Sequence, residues 1–141
     1  VYTFNTRASP TMSGSAGRWL KSSSRQDVDG AVDGLYRTVP GDGTSLHHAF
    51  GVAGKLSPRP DNIILITDGL PTRGSSAPAG TTVSAEERLK HFERAARVVP
   101  SGIPVNTILL PMEGDAWAAA AFWKLAVHTR GSFMTPARDW P

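Results

Sequence analysis

Asp61-Asn62-Ile63-Ile64-Leu65-Ile66-Thr67-Asp68-Gly69-Leu70-Pro71-Thr72 carries the strongest structural signal in the chain. The consecutive large aliphatic residues Ile63 to Ile66, with no polar alternation, predict a strand buried on both faces, the pattern of a central strand in a parallel sheet with helices above and below. Hydrophobicity stops at Thr67-Asp68-Gly69, and the carboxyl edge of an open α/β sheet is where such folds bind ligands. Asp68 is therefore the first candidate for chemistry. The plainer alternative is an aspartate that turns the chain and caps the next helix.

Outward from that strand, the chain alternates between strand-like and helix-like segments. Pro104-Val105-Asn106-Thr107-Ile108-Leu109-Leu110 predicts a second buried strand. Ser84-Ala85-Glu86-Glu87 has the capping-box pattern and opens a helix through Leu89, Phe92, Ala95, Ala96 and Val99, closed by Pro100. Asp115 is placed to cap a helix containing Trp117, Ala121, Phe122, Leu125 and Ala126, with Gly131 at the expected left-handed C-terminal position. Ser132 to Thr135 predicts a last short strand and Pro136 to Pro141 a tail.

Upstream, Val1 to Thr6 predicts a strand, and the Ser- and Gly-rich Ala8 to Ser24 a loop with one short edge strand around Trp19. Gln26 to Val39 has helical spacing, with Val28, Ala31, Val32, Leu35 and Val39 on one side. Gly30 and Gly34 weaken that helix by about 1 kcal/mol each relative to alanine, so packing must hold it. A further helix follows from Leu46, Ala49, Phe50, Ala53 and Leu56. Arg73 to Val83 is a Gly/Ser/Pro/Thr-rich loop. The expected architecture is one α/β domain over residues 1–141, a three-layer sandwich with a mostly parallel sheet.

Composition bounds the function. At 141 residues, 40% hydrophobic and 19% charged, the chain matches a folded globular domain. No apolar run nears the roughly 18 residues of a membrane span, and no signal peptide is visible. The chain opens Val1-Tyr2-Thr3-Phe4 without methionine, inside what reads as a strand, so it is expected to begin within a longer protein, leaving its compartment open. Cysteine is absent, which excludes disulfides and thiolate metal sites. The net charge of +3 comes from scattered Lys and Arg without interleaved aromatics, so no nucleic-acid partner is expected.

Gly41-Asp42-Gly43-Thr44-Ser45-Leu46 is the second informative stretch. Its glycines free the backbone, and Thr44 or Ser45 sits at a helix N-cap, presenting a hydroxyl beside the carboxyl edge of the sheet. Other candidates fail on chemistry. His47 and His48 are adjacent on a helix, about 100° apart, and cannot share an ion. Gly54-Lys55 lacks the rest of a phosphate loop. Gly41-Asp42-Gly43 has no upstream Asp-x-Asp, and no Gly-x-Ser-x-Gly elbow exists. Asp27, Asp29 and Asp33 lie on a solvated helix face.

Gly43-Thr44-Ser45-Leu46, followed one helix later by Ile64-Leu65-Ile66-Thr67-Asp68-Gly69-Leu70-Pro71-Thr72, resembles the second and third metal-site motifs of the von Willebrand factor type A (vWA) domain family, most closely its bacterial members. The downstream order of helix, strand, helix and Gly-x-Phe strand is similar too, so the resemblance spans most of the chain. It implies a Rossmann-like vWA fold in which three loops at the carboxyl edge hold a divalent cation with one position open to an acidic side chain of a partner protein. Thr44 would be the threonine ligand and Asp68 the aspartate. Asp42, Ser45, Gly69, Leu70, Pro71 and Thr72 would form the rim of the contact face. Mg²⁺ or Mn²⁺ suits such a set of hydroxyl, carboxylate and water oxygens.

One departure is serious. The family's first motif, Asp-x-Ser-x-Ser at the end of the first strand, occurs nowhere here. Val1 to Thr6 matches the family's second strand, so the first strand, its metal loop and the first helix, roughly 35 to 50 residues at ordinary element sizes, are expected to lie outside this chain. The absent strand belongs in the middle of the sheet, between Val1–Thr6 and Asn62–Thr67. Unless those strands pair directly or another segment fills the gap, a groove with unpaired backbone groups is expected. Two ligands are too few for a tight site, so this chain alone is expected to bind the ion weakly or not at all. The expected function is a non-enzymatic, metal-assisted protein-interaction module. The alternatives are an α/β hydrolytic enzyme using Asp68 and a structural domain with a degenerate metal site.

Overall fold

The computed structural model describes residues 1–77, 80 and 82–136. Its elements in chain order are β1 (Tyr2–Phe4), β2 (Ala8–Pro10), α1 (Arg25–Tyr36), α2 (Leu46–Ala53), β3 (Ile63–Thr67), α3 (Ala85–Ala96), β4 (Val105–Leu109), α4 (Ala118–Thr129) and β5 (Phe133–Met134). β3, β4 and β5 form a parallel sheet in that spatial order, with Leu65 opposite Thr107 and Thr107 opposite Phe133. β1 and β2 form a separate antiparallel hairpin in which Thr3 faces Ser9. The architecture is mixed α/β.

Alternation along the strands sends Leu65, Val105 and Leu109 to one side, where they enter the core with Phe50 of α2, Phe92 of α3 and Phe122 of α4. Phe92 and Phe122 meet edge to face, ring centroids 5.0 Å apart, the geometry favoured by aromatic quadrupoles. At roughly 1.5–3 kcal/mol per buried aromatic or aliphatic side chain, this one-sided core is the main stabilising element. α3 starts as its sequence predicts. Ser84 Oγ accepts from the Glu87 amide, and the Glu87 carboxylate accepts from the Ser84 amide at 2.9 Å.

Several local expectations are corrected. Ile64 and Ile66 are 67% and 57% exposed, so β3 is buried on one face rather than two. It is also an edge strand, pairing with β4 alone. Strand character near the N-terminus lies at Ala8–Pro10 rather than around Trp19, whose indole N–H donates to the carbonyl of Pro58 at 2.8 Å. α1 runs from Arg25 to Tyr36 and buries only Ala31 and Gly34, leaving Val28, Val32, Leu35 and Val39 exposed. Its glycines are packing sites: a Cβ on Gly34 would overlap the carbonyl of Thr11, and one on Gly30 would press on the thioether of Met12. At the end of α4 the left-handed residue is Arg130, at φ 61°. Gly131 is required instead because the backbone of Val105 occupies the place of its missing Cβ. Trp117 and Trp123 are exposed, and Trp140 lies outside the described residues.

β1 and β3 do not pair, and a groove of about 1040 Å³ separates them. Its walls are the two strands, Ala49, Phe50 and Ala53 of α2 line it from below, and Leu35 and Val39 of the α1 end flank it. Among the described residues β1 pairs only with β2, and β3 only with β4.

Candidate functional site

The groove opens at the carboxyl edge of β3 onto Asp68, Thr44 and Asp42. Three loops converge there and are tied by main-chain hydrogen bonds. The loop before α2 is bonded to the loop after β3: the Thr44 amide donates to Thr72 Oγ1 at 2.8 Å, and the amides of Thr72 and Arg73 donate to the Thr44 carbonyl at 3.0 and 3.1 Å. Gly43 makes this approach possible, since a Cβ there would lie 2.8 Å from Thr72 Oγ1. The same loop is bonded to the end of β1, the Ser45 amide donating to the Asn5 carbonyl at 2.7 Å. Asn5 also donates from Nδ2 to the Gly41 carbonyl at 3.4 Å.

These bonds account for the positions of the candidate residues. Thr44 is partly buried and its backbone fully engaged, while its hydroxyl has no hydrogen-bond partner among the described residues. Asp68 is exposed, with its carboxylate equally unengaged. Asp42 is exposed in the left-handed region at φ 60°, a conformation aspartate tolerates better than most residues. Ser45 is the backbone N-cap of α2, yet its hydroxyl makes no cap bond; it donates to the Gly74 carbonyl at 2.7 Å and is fully buried. Gly69, Leu70 and Pro71 are buried as well. The side chains of Ser45, Leu70 and Pro71 thus support the rim from below, and Asp42, Asp68 and the partly exposed Thr72 form its accessible part.

Two further residues shape the site from a distance. Arg88 of α3 and Asp115 of the β4–α4 loop form an ion pair at 2.7 Å with both side chains largely buried. Asp115 accepts from the Leu70 amide at 2.7 Å, and Arg88 donates to the Leu70 carbonyl from Nε and Nη2 at 3.2 and 2.6 Å. Asp115 therefore does not cap α4, whose N-cap Trp117 makes no side-chain cap bond. Neither Asn5, Arg88 nor Asp115 carries a sequence signal for these roles, because each acts across 18 to 45 residues.

Thr44 and Asp68 could hold a hard divalent cation, since hydroxyl and carboxylate oxygens are what Mg²⁺ and Mn²⁺ accept. Two oxygens do not complete an octahedron, and among the described residues no group of three or more His, Cys, Asp or Glu is gathered as a metal site. His47 and His48 stand edge to face, ring centroids 5.7 Å apart. The titratable residues lining the groove are Tyr2, Arg7, Asp42 and Asp68. Among the described residues no helix is long and apolar enough to cross a membrane.

Comparison of this chain with protein-family models, with curated proteins and with solved structures gives no match.

Proposed function

We propose that this chain is a protein-interaction module of the vWA type, a three-layer α/β/α sandwich whose first central strand lies outside residues 1–141, and that it binds partner proteins through Mg²⁺ or Mn²⁺ at the carboxyl edge of its sheet. The observation that carries the reading is the direct bonding of the Gly43-Thr44-Ser45 loop to Thr72 and Arg73, which supports reading Thr44 and Asp68 as members of one rim. The strand-lined groove beside β3, with Ile64 and Ile66 uncovered, is a second support: it is the gap that a further parallel strand and its helix would fill.

Thr44 and Asp68 are the residues that would hold the ion. When bound, the cation supplies an electrophilic centre that an acidic side chain of the partner completes, because a shell with few negative charges leaves the ion poorly neutralised. Asp42 and Thr72 are the accessible rim. The hydrolytic alternative draws no support from the groove, where no His or Glu stands beside Asp68 among the described lining residues to act as a second acid or base.

Calorimetric titration tests the reading. Residues 1–141 bind Mg²⁺ or Mn²⁺ weakly or not at all, the same chain preceded by its native upstream sequence binds tightly, and Thr44→Ala or Asp68→Ala removes the tight binding. Micromolar affinity in the 141-residue chain, or unchanged affinity in both alanine variants, contradicts it.

A further inference from the structure

A buried ion pair is a costly way to hold a loop, because two charges must leave water. Arg88 and Asp115 form one 2.7 Å long, with side chains only 16% and 4% exposed, and neither belongs to the rim. Both converge on a single residue. The Asp115 carboxylate accepts the Leu70 N–H and the Arg88 guanidinium donates twice to the Leu70 C=O, so both backbone polar groups of Leu70 are satisfied by charged side chains from two different elements. Such charge-assisted bonds are shorter and more directional than neutral ones.

The backbone immediately before Leu70 is held as well. The Thr67 carbonyl accepts from the Leu110 amide at 2.8 Å, and the Asp68 carbonyl from the Met112 amide at 3.2 Å. Asp68 thus has fixed backbone on both sides and an unengaged carboxylate. Gly69 is part of the device: a Cβ there would overlap Asp115 Oδ2 and lie 3.2 Å from Arg88 Nη2. Arg88 is itself placed by the first turn of α3, where its amide donates to the Ser84 carbonyl at 2.9 Å beside the capping box.

We propose that Arg88 and Asp115 are positioning residues for the candidate cation site, a charged clamp on Leu70 that fixes the direction in which the Asp68 carboxylate leaves the sheet edge. This rests on the reading of Asp68 as a ligand. The clamp reaches from α3 and from the β4–α4 loop, so it also makes the site sensitive to movement of either element, although neither contributes a ligand.

The double variant Arg88→Met/Asp115→Leu tests it in the chain preceded by its native upstream sequence, where tight binding is expected. Replacing the pair with apolar residues removes its desolvation cost but leaves the buried Leu70 N–H and C=O without these partners. A lowered melting temperature is therefore expected of a structural and a positioning pair alike, whereas a merely structural pair leaves ion binding unchanged. Mn²⁺ is titrated while amide line broadening is followed at residues 42–45, 68–70 and 72, alongside thermal melts and amide exchange. The proposal expects a melt that stays cooperative although at lower temperature, faster exchange at the Leu70 amide, and a midpoint for Mn²⁺ broadening raised about tenfold or more, the range for lost outer-shell partners. Should the double variant misfold, Arg88→Lys, which keeps the charge but not the fork of donors, must melt cooperatively and still raise the Mn²⁺ midpoint. Broadening at unchanged Mn²⁺ in a folded variant overturns the clamp. Absence of broadening at Thr44 and Asp68 in the wild-type protein carrying its upstream sequence overturns the cation reading itself, and the clamp with it.

Discussion

The backbone N–H of Thr44 donates to the side-chain hydroxyl of Thr72 at 2.8 Å across 28 residues of sequence. That bond, with the return bonds from the Thr72 and Arg73 amides to the Thr44 carbonyl, makes one rim of two loops. Thr72→Val keeps the shape of the side chain and removes the acceptor, leaving a partly buried N–H without its partner. We expect a loss of about 1–3 kcal/mol of stability, read from denaturation midpoints, with Thr72→Ser near wild type. Equal midpoints for both variants contradict this role for the hydroxyl.

Gly34 separates helix propensity from packing. Alanine is the better helix former by about 1 kcal/mol, so an unpacked α1 is stabilised by Gly34→Ala. Because the Thr11 carbonyl occupies the place of the added methyl, the expected result is destabilisation by about 1–3 kcal/mol, the usual cost of overpacking. Chemical denaturation of the two proteins decides the sign.

The pKa of His91 is held below the ordinary histidine value, chiefly by burial of the ring and also by the nearby Arg94, against a smaller opposing effect of Glu87. The folded state therefore takes up a proton less readily than the unfolded chain. Stability is unaffected while both states are neutral and declines as pH falls through the unfolded value near 6.5 toward the lower folded one. His91→Gln flattens the curve of melting temperature against pH in that window. An unchanged slope in the variant assigns the dependence to another group.

Ile64 and Ile66 lie on the open face of β3, beside an edge with no strand partner. Exposed apolar edges template association between chains, and a lysine on the edge opposes it. Ile66→Lys is expected to lower concentration-dependent light scattering of the 141-residue chain while changing its stability by less than about 0.5 kcal/mol, as for an ordinary surface substitution. A large loss of stability would mean that Ile66 is covered in solution.

Local chemistry was the part of this fold most legible in the sequence. The Ser84–Glu87 capping box sits at the start of α3, and the apolar runs at Ile63 and Val105 are adjacent parallel strands. What escaped was set by distant partners. The β2 segment Ala8-Ser9-Pro10 has little strand propensity and becomes a strand by pairing with Tyr2 to Phe4. The four-residue run at Ile63 reads as doubly buried because an aliphatic pattern reports what a strand could bury, and Ile64 and Ile66 lack the cover. Asp115 looked like a helix cap because its actual partner, the Leu70 amide, is 45 residues away. Thr44 and Asp68 stood out in the sequence as candidates, whereas the burial of Ser45, Leu70 and Pro71 beside them emerged only from packing.

Paramagnetic broadening by Mn²⁺ in the wild-type chain tests the central claim most directly, since it detects even weak binding and reports its location. If Thr44 and Asp68 face one cation, substoichiometric Mn²⁺ broadens the amides of residues 42–45, 68–70 and 72 together, and Thr44→Ala or Asp68→Ala weakens both sets. Broadening confined to the aspartates of α1, or spread without preference over the acidic surface, would contradict the account.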